Sequence, residues 1–168
     1  DRVLAAHKKV KFQGDITVAM EQTLLTLKTR QPTAKQIAFA KSVLSDNPPE
    51  PMPRLAESYA RRTMALANGP REEEIVLQAL RLGEVGITSI PCEVLCEIGL
   101  TLKAQSPLAQ STFTIELANG HYGYLPTPRQ HALGGYETWM GTCILEILAS
   151  EKIKKSLLKM LEKVADSD

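Results

Sequence analysis

Cysteine is scarce in this chain: three in 168 residues, Cys92, Cys96 and Cys143, with no C-x-x-C pair. An odd count without close pairs argues against a disulfide framework and against a zinc knuckle. Net charge is almost absent as well. Twenty Lys and Arg against nineteen Asp and Glu leave +1, too little to set up a field for nucleic acid or anionic lipid. No apolar run reaches the roughly 20 residues that cross a bilayer. The sequence also lacks a G-x-S-x-G elbow, a G-x-x-x-x-G-K loop and a G-x-G-x-x-G fingerprint, so serine nucleophiles and nucleotide binding have no support. Its opening, "DRVLAAHKKVKFQGD", has no initiating Met, signal peptide or N-cap-led element. It reads as the middle of a helical stretch in a longer protein.

What is present is an ordinary globular composition, 43% hydrophobic and 23% charged over 168 residues, the size of one domain with a core of its own. Between Asp15 and Arg30 the alternation predicts a strand over at least Thr23 to Thr29, with Leu25 and Leu27 on one side. Thr33, with Gln36 at the capping-box position, opens a helix whose apolar face is Ile37, Ala40, Val43 and Leu44 and which stops at Asn47. A second helix begins near Arg54 and ends at Asn68-Gly69. "EEEIVLQALRLGEVGITSIP" reads as two strands joined at Gly83-Glu84. "CEVLCEIGLTLKAQSP" follows as a helix with Val94, Leu95, Ile98 and Leu102 inward and Cys92 and Cys96 as small buried hydrophobes; Ser111 to Leu117 is the next strand. The chain from about Glu137 is helical, broken near Ser150, and "SEKIKKSLLKMLEKV" is an amphipathic helix packed on the surface of the domain. These elements predict an α/β fold, a single domain over 1–168, with a mixed sheet, a strand-helix-strand crossover and flanking helices.

Topology then selects a site. If the strands either side of "CEVLCEIGLTLKAQ" lie parallel in one sheet, the crossover puts their C-terminal ends on one edge, where ligands of open α/β sheets bind. Glu93, expected in the first helical turn, meets there the loop that begins at Ala118. A helix N-terminus favours a carboxylate by roughly 0.3–1 kcal/mol, and an ionised carboxylate is a hard metal ligand. Glu97, one turn on, is expected to face solvent or pair with Lys103. The loop, "LANGHYGYLPTPRQHALGGYETW", carries four glycines, three tyrosines and two histidines from Leu117 to Trp139, far more than a connector needs. Tyr122 and Tyr124 are two apart and share a face in extended backbone, and Gly134-Gly135 can bend Tyr136 back toward them. His121 and His131 lack the spacing of a helical metal pair.

Laid out in this order, the residues resemble the C-terminal part of the catalytic domain of the neutral/alkaline non-lysosomal ceramidases, and most of all its bacterial ceramidase-like branch. The likeness rests on "KTRQPTAKQIAFAKSVL", "LQALRLGEVGITSIPCEVLCEIGLTLKAQSP" and "FTIELANGHYGYLPTPRQHALGGYETW", which together span roughly residues 22 to 140. The last includes an N-x-x-x-x-Y stretch and a later Y-E dipeptide. In that family zinc activates water to hydrolyse the amide of ceramide, held by two upstream histidines, the Glu of a P-x-E turn and the Tyr that closes the N-x-x-x-x-Y stretch. The resemblance therefore implies Glu93 and Tyr124 as metal ligands and Tyr136 as the catalytic phenol near the scissile amide. His121, Tyr122 and Arg129 are secondary candidates for substrate contact. Departures occur where the family reads P-G-E-F and a Thr, here Cys92, Val94 and Leu95; where it has an aromatic, here His121; and after Tyr136-Glu137, here "TWMGTC". They bear on the substrate more than on the metal. The two upstream histidine ligands are not in this sequence, since His7 lies before the shared segments.

The resemblance implies a fragment of a zinc-dependent amidohydrolase acting on ceramide or a related lipid amide. The zinc site is incomplete in this chain and the fragment is inactive alone. Its implied partners are the upstream half of the same catalytic domain and the lipid substrate, through which alone it would touch a membrane, and its compartment is secreted, periplasmic or membrane-facing. The alternative is a ceramidase-like module with an interaction or structural role.

Overall fold

The computed structural model describes residues 1–12, 14–108 and 111–167. After a short helix α1 (Arg2–His7) come β1 (Val18–Lys28), α2 (Ala34–Val43), α3 (Ala56–Asn68), β2 (Glu72–Leu82), β3 (Val85–Ile90), β4 (Glu93–Val94) and α4 (Cys96–Gln105). Then follow β5 (Phe113–Glu116), β6 (Tyr124–Leu125), α5 (Pro128–Leu133), a 3₁₀ turn (Tyr136–Thr138) and α6 (Ala149–Ala165). The expected α/β fold with a mixed sheet is observed. Four strands run in the order β1-β2-β3-β5, and β4 and β6 form a separate two-stranded sheet.

β1 exceeds its predicted length because it pairs antiparallel with β2 along all of it, from Val18 opposite Leu82 to Lys28 opposite Glu72. β2 and β3 form the predicted hairpin, turning at Gly83, whose φ of +61° suits glycine. α4 carries the chain across to β5, which lies parallel to β3 with Ile87 beside Phe113 and Ile90 beside Glu116.

Period-two alternation sends Leu25, Leu27, Ile75, Leu77 and Ala79 to one face of the sheet. There they meet Ile153, Leu157, Met160, Leu161 and Val164 of α6 and Ile98 and Leu102 of α4 in one core. Each such aliphatic side chain contributes roughly 1.5–3 kcal/mol when fully buried, so α6 is a principal clamp on the sheet. The other face is bare. Partner by partner, Met20, Leu80, Ile87 and Phe113 form one row across it, and Val18, Met20, Leu24, Phe113 and Ile115 are 45–68% exposed. α2 and α3 pair separately around a small cluster of Ala40, Val43 and Ala60.

Several boundaries differ from the sequence reading. α2 opens with the predicted Thr33 capping box but ends at Val43, not Asn47. The helix expected to contain Glu93 starts at Cys96, after an extended Leu95. Residues 92–94 instead spend their backbone groups on pairing: Glu93–Val94 lies parallel to Tyr124–Leu125, and the Val94 amide donates to the Glu116 carboxylate at 2.8 Å. Helix-terminus stabilisation of Glu93 therefore does not apply. Cys92 is buried as expected but is not helical, and Cys96 is exposed. Beyond the 3₁₀ turn the tail is not helical until Ala149. The segment before it is held extended by Arg30 N–H to Ile144 O at 2.8 Å and Glu146 N–H to Lys28 O at 2.9 Å.

Candidate functional site

The site is built on backbone. Pro91 O accepts from Tyr122 N–H at 2.9 Å, Cys92 O from Leu117 N–H at 3.2 Å, and Gly123 O from Glu93 N–H at 3.0 Å. On the far side Tyr124 N–H donates to Thr142 O at 3.0 Å. The Gly123–Tyr124 segment is thus held between two neighbours, which requires glycine: φ is +74°, and a Cβ there would collide with the Thr142 carbonyl oxygen. In-register partners point to the same side of a sheet, so Glu93 and Tyr124 stand side by side.

The Glu93 side chain is one-third exposed, and the His121 imidazole lies with Nε2 3.5 Å from its Oε1. The Tyr124 phenol is pushed above its ordinary pKa, first by its hydrogen bond to Glu93, next by the Glu93 charge, then by burial. A carboxylate that accepts the phenol proton stabilises the neutral phenol.

Tyr136 joins this pair. Gly134 and Gly135, at φ of +78° and +115°, return the chain so that the Tyr124 and Tyr136 rings meet edge to face, centroids 5.9 Å apart. Tyr136 also contacts Trp139 at 5.5 Å, and Trp139 contacts Tyr59 of α3 at 5.3 Å. Tyr59 bonds the Thr142 hydroxyl at 3.1 Å and carries the Arg62 guanidinium over its ring at 5.2 Å. The Tyr136 phenol is raised by its hydrogen bond to Tyr59 and then by that group's charge, while Arg62 pulls the other way. α3 seats closely on this loop: a Cβ on Gly141 would lie 2.5 Å from Arg62 Cβ.

The other candidates go elsewhere. Tyr122 packs against the main core. His131 sits with Nε2 3.9 Å from Cys143 Sγ, and burial, then the Arg30 charge, lowers its pKa. Arg129 is exposed and lines a cleft with Glu97, Thr101, Glu151 and Lys154. Glu97 faces solvent as expected, and it also accepts a 2.6 Å bond from Thr127 Oγ1. Tyr59, Arg62 and Trp139 escaped sequence reasoning. α3 looks like any amphipathic helix, and only tertiary packing brings it to a loop some eighty residues later.

Among the described residues no three His, Cys, Asp or Glu side chains cluster as a metal site. The donor chemistry nevertheless suits a divalent cation. A carboxylate and a phenol stand side by side, the carboxylate holding the phenol neutral, and a cation is an alternative partner for both oxygens. Both are hard donors of the kind zinc accepts beside histidine nitrogen.

A parallel crossover that delivers an acidic and aromatic cluster to one rim of an open sheet defines an α/β domain with a candidate edge site. No protein-family model and no curated protein matches the sequence. The fold does match a solved structure, the neutral ceramidase from Pseudomonas aeruginosa, with a TM-score of 0.59 and 14% identity over 94% of this chain and 29% of that one. A ceramidase complexed with C2 aligns over 55% of this chain and 15% of that one, with a TM-score of 0.48 and 15% identity. The likeness to the P. aeruginosa enzyme is one of fold, and this chain has a ceramidase-like fold spanning under a third of that structure's length.

Proposed function

We propose that the chain is the C-terminal part of the catalytic domain of a zinc-dependent amidohydrolase that cleaves ceramide or a related lipid amide. The observation that carries this reading is the in-register pairing of Glu93 with Tyr124, close enough that the carboxylate raises the phenol's pKa, in a chain of ceramidase-like fold. Glu93 and Tyr124 would hold the metal, with two histidines from an upstream segment supplying further ligands. Zinc bound there supplies a Lewis acid for the amide carbonyl and lowers the pKa of water to about 7. Tyr136, 45% exposed and in ring contact with Tyr124, is placed to donate a hydrogen bond to charge developing on a substrate oxygen. Tyr59 and Arg62 act on that phenol in opposite directions, Tyr59 raising its pKa and Arg62 lowering it. The half site alone is inactive.

The test is zinc content and hydrolysis of a short-chain ceramide by the intact protein and its Glu93→Gln and Tyr124→Phe variants. Each substitution should cut zinc affinity at least tenfold and reduce hydrolysis in step. Unaltered zinc and hydrolysis in both variants would refute the assignment. An intact protein with neither zinc nor amidase activity would instead be a module that kept the fold for an interaction or structural role.

A further inference from the structure

β1 is the outer strand of the main sheet on the side away from β5, and its pairing shows which backbone groups look outward. Thr29 N–H donates to Arg71 O at 2.9 Å, and Thr17 O accepts from Gly83 N–H at 2.8 Å. The odd-numbered residues of this strand therefore bond β2. Antiparallel backbone alternates, and β1 pairs with β2 without a bulge from Val18 to Lys28, so the N–H and C=O groups of the even-numbered residues face away from the sheet. At Lys28 the chain itself uses them: Lys28 N–H donates to Glu146 Oε1 at 3.0 Å, and Lys28 O accepts from Glu146 N–H at 2.9 Å. Apart from the Thr23 hydroxyl, which reaches Leu24 O at 3.4 Å, nothing among the described residues pairs with this edge at Val18, Met20, Gln22, Leu24 or Thr26.

The open edge from Val18 to Thr26 spans about 30 Å. Such an edge invites a further strand, and proteins guard against that with lysine, proline or a bulge. Val18 to Leu27 has none of the three. Its one charge, Glu21, is turned to the α6 side, where Lys163 Nζ lies 3.3 Å from the carboxylate. The open stretch also matches itself. Laid antiparallel on a second copy about Gln22, Val18 faces the partner's Thr26, Met20 the partner's Leu24, and Gln22 the partner's Gln22. Outward groups then meet outward groups at every pair, giving about ten hydrogen bonds. No like charges come opposite one another. Gln22, whose Oε1 accepts from Gln78 Nε2 at 2.8 Å, keeps its own amide N–H groups free to donate across the axis. This register stops short of Lys28, whose outward groups are already taken.

We propose that this chain forms a two-fold dimer through β1, joining two four-stranded sheets into one continuous sheet. The occupant of the edge is a second copy, because the open stretch is complementary to itself in hydrogen-bond parity, length and charge. Cross-strand partners point to the same side, so the two uncovered apolar faces merge, with Met20 beside the partner's Leu24. This dimer does not depend on zinc or on Glu93 and Tyr124.

The experiment follows the 168-residue chain by sedimentation velocity, by amide exchange resolved to single residues, and by oxidative cross-linking in a Cys96→Ser background that removes the exposed thiol. A dimer is expected. The amides of Met20, Gln22 and Leu24 should be protected in it and exchange freely on dilution, while those of Thr23 and Leu25, bonded to β2, stay protected throughout. Gln22→Cys should cross-link, since a hydrogen-bonded pair sets its Cα atoms about 5.5 Å apart, within the reach of a disulfide. Met20→Cys, opposite the partner's Leu24, should not. Gln22→Lys puts like charges together on the axis and should weaken the dimer roughly fivefold or more; the residue is exposed, so the variant monomer should unfold at the wild-type temperature. A chain that stays monomeric overturns the β1 dimer. So does a dimer whose Met20, Gln22 and Leu24 amides exchange freely, that Gln22→Lys leaves intact, or that Gln22→Cys fails to cross-link, since its contact then lies elsewhere, as on the uncovered sheet face.

Discussion

Gly123 lies directly beneath the carbonyl of Thr142, close enough that a methyl group on its Cα would collide with that oxygen. This one contact sets the spacing of the three extended segments that carry the site, since Gly123 O holds the Glu93 amide and Tyr124 N–H holds Thr142 O. Gly123→Ala combines a left-handed backbone, at φ +74°, with a clash against backbone that has no free side to move to. A non-glycine residue in that region costs about 1–2 kcal/mol before any clash is counted. The variant is expected to lose at least about 2 kcal/mol of stability, and, on the proposed reading of Glu93 and Tyr124 as zinc ligands, zinc affinity with it. Chemical denaturation and chelator competition check the two effects separately.

Glu146 ties the end of β1 to the start of α6. Its carboxylate accepts the Lys28 amide at 3.0 Å and Lys152 Nζ at 2.7 and 2.8 Å. Burial alone would push its pKa up, but the Lys152 bond and the Lys28 amide outweigh burial and the net shift is downward. A carboxyl with a depressed folded-state pKa stabilises fully above its unfolded value, about 4.3 for Glu, and that contribution fades as pH falls through the lower folded value. Glu146→Gln should therefore cost about 1–2 kcal/mol at pH 7, held below the range for bonds to charged groups because Lys152 is 45% exposed. Near pH 3 the difference should have shrunk. Urea melts of both proteins at the two pH values measure it, and an equal gap at both would contradict the assignment.

The hairpin, the crossover and the α6 stripe were legible in the sequence because each is a local periodicity. Ile75, Leu77 and Ala79 alternate, and Ile153, Leu157, Leu161 and Val164 recur at helical spacing. Glu93 was found for a reason that half fails. The topology that sets it beside the loop holds, while the helix around it does not, since pairing with Tyr124–Leu125 overrides the helical pattern of Val94, Leu95 and Ile98. Propensity yields to tertiary pairing in this way whenever a long-range partner is available. The extended segment before Ala149 was misread for the same reason: its partners, Lys28 and Arg30, lie more than a hundred residues earlier. Tyr59 and Arg62 were illegible because nothing in a helix's own sequence says which loop it will touch.

The uncovered face of the main sheet should govern how the 168-residue chain behaves by itself. Val18, Met20 and Leu24 line one edge strand, while Phe113 and Ile115 line the other. Contiguous apolar surface beside open strand edges promotes association. Sedimentation velocity on the isolated chain is expected to show self-association that rises with concentration. Met20→Lys combined with Phe113→Glu should suppress it, with stability changed by no more than about 0.5 kcal/mol per site, since both residues are half exposed. A monomeric wild-type chain would show that this face does not associate in solution.

Helix α3 is expected to hold the Tyr136 loop in place through Tyr59. The Tyr59 ring meets Trp139 at 5.3 Å, and its hydroxyl bonds Thr142, the residue whose carbonyl anchors Tyr124. An aromatic pair of this geometry contributes about 0.5–1.5 kcal/mol beyond burial, and the hydroxyl bond adds about 0.5–1.5 kcal/mol. Tyr59→Phe keeps the ring and should cost only the bond; Tyr59→Ala should cost about 2–3 kcal/mol and free the loop. Trp139 is the only tryptophan of the chain and reports directly. Its emission is expected to move to the red in Tyr59→Ala and to stay in place in Tyr59→Phe. If α3 serves the site as well as the fold, Tyr59→Ala lowers the turnover of the intact protein more than it lowers zinc affinity, because Tyr136 moves while Glu93 and Tyr124 keep their backbone pairing. Unchanged turnover and zinc affinity, with unchanged Trp139 emission, would mean that the loop stands without the helix.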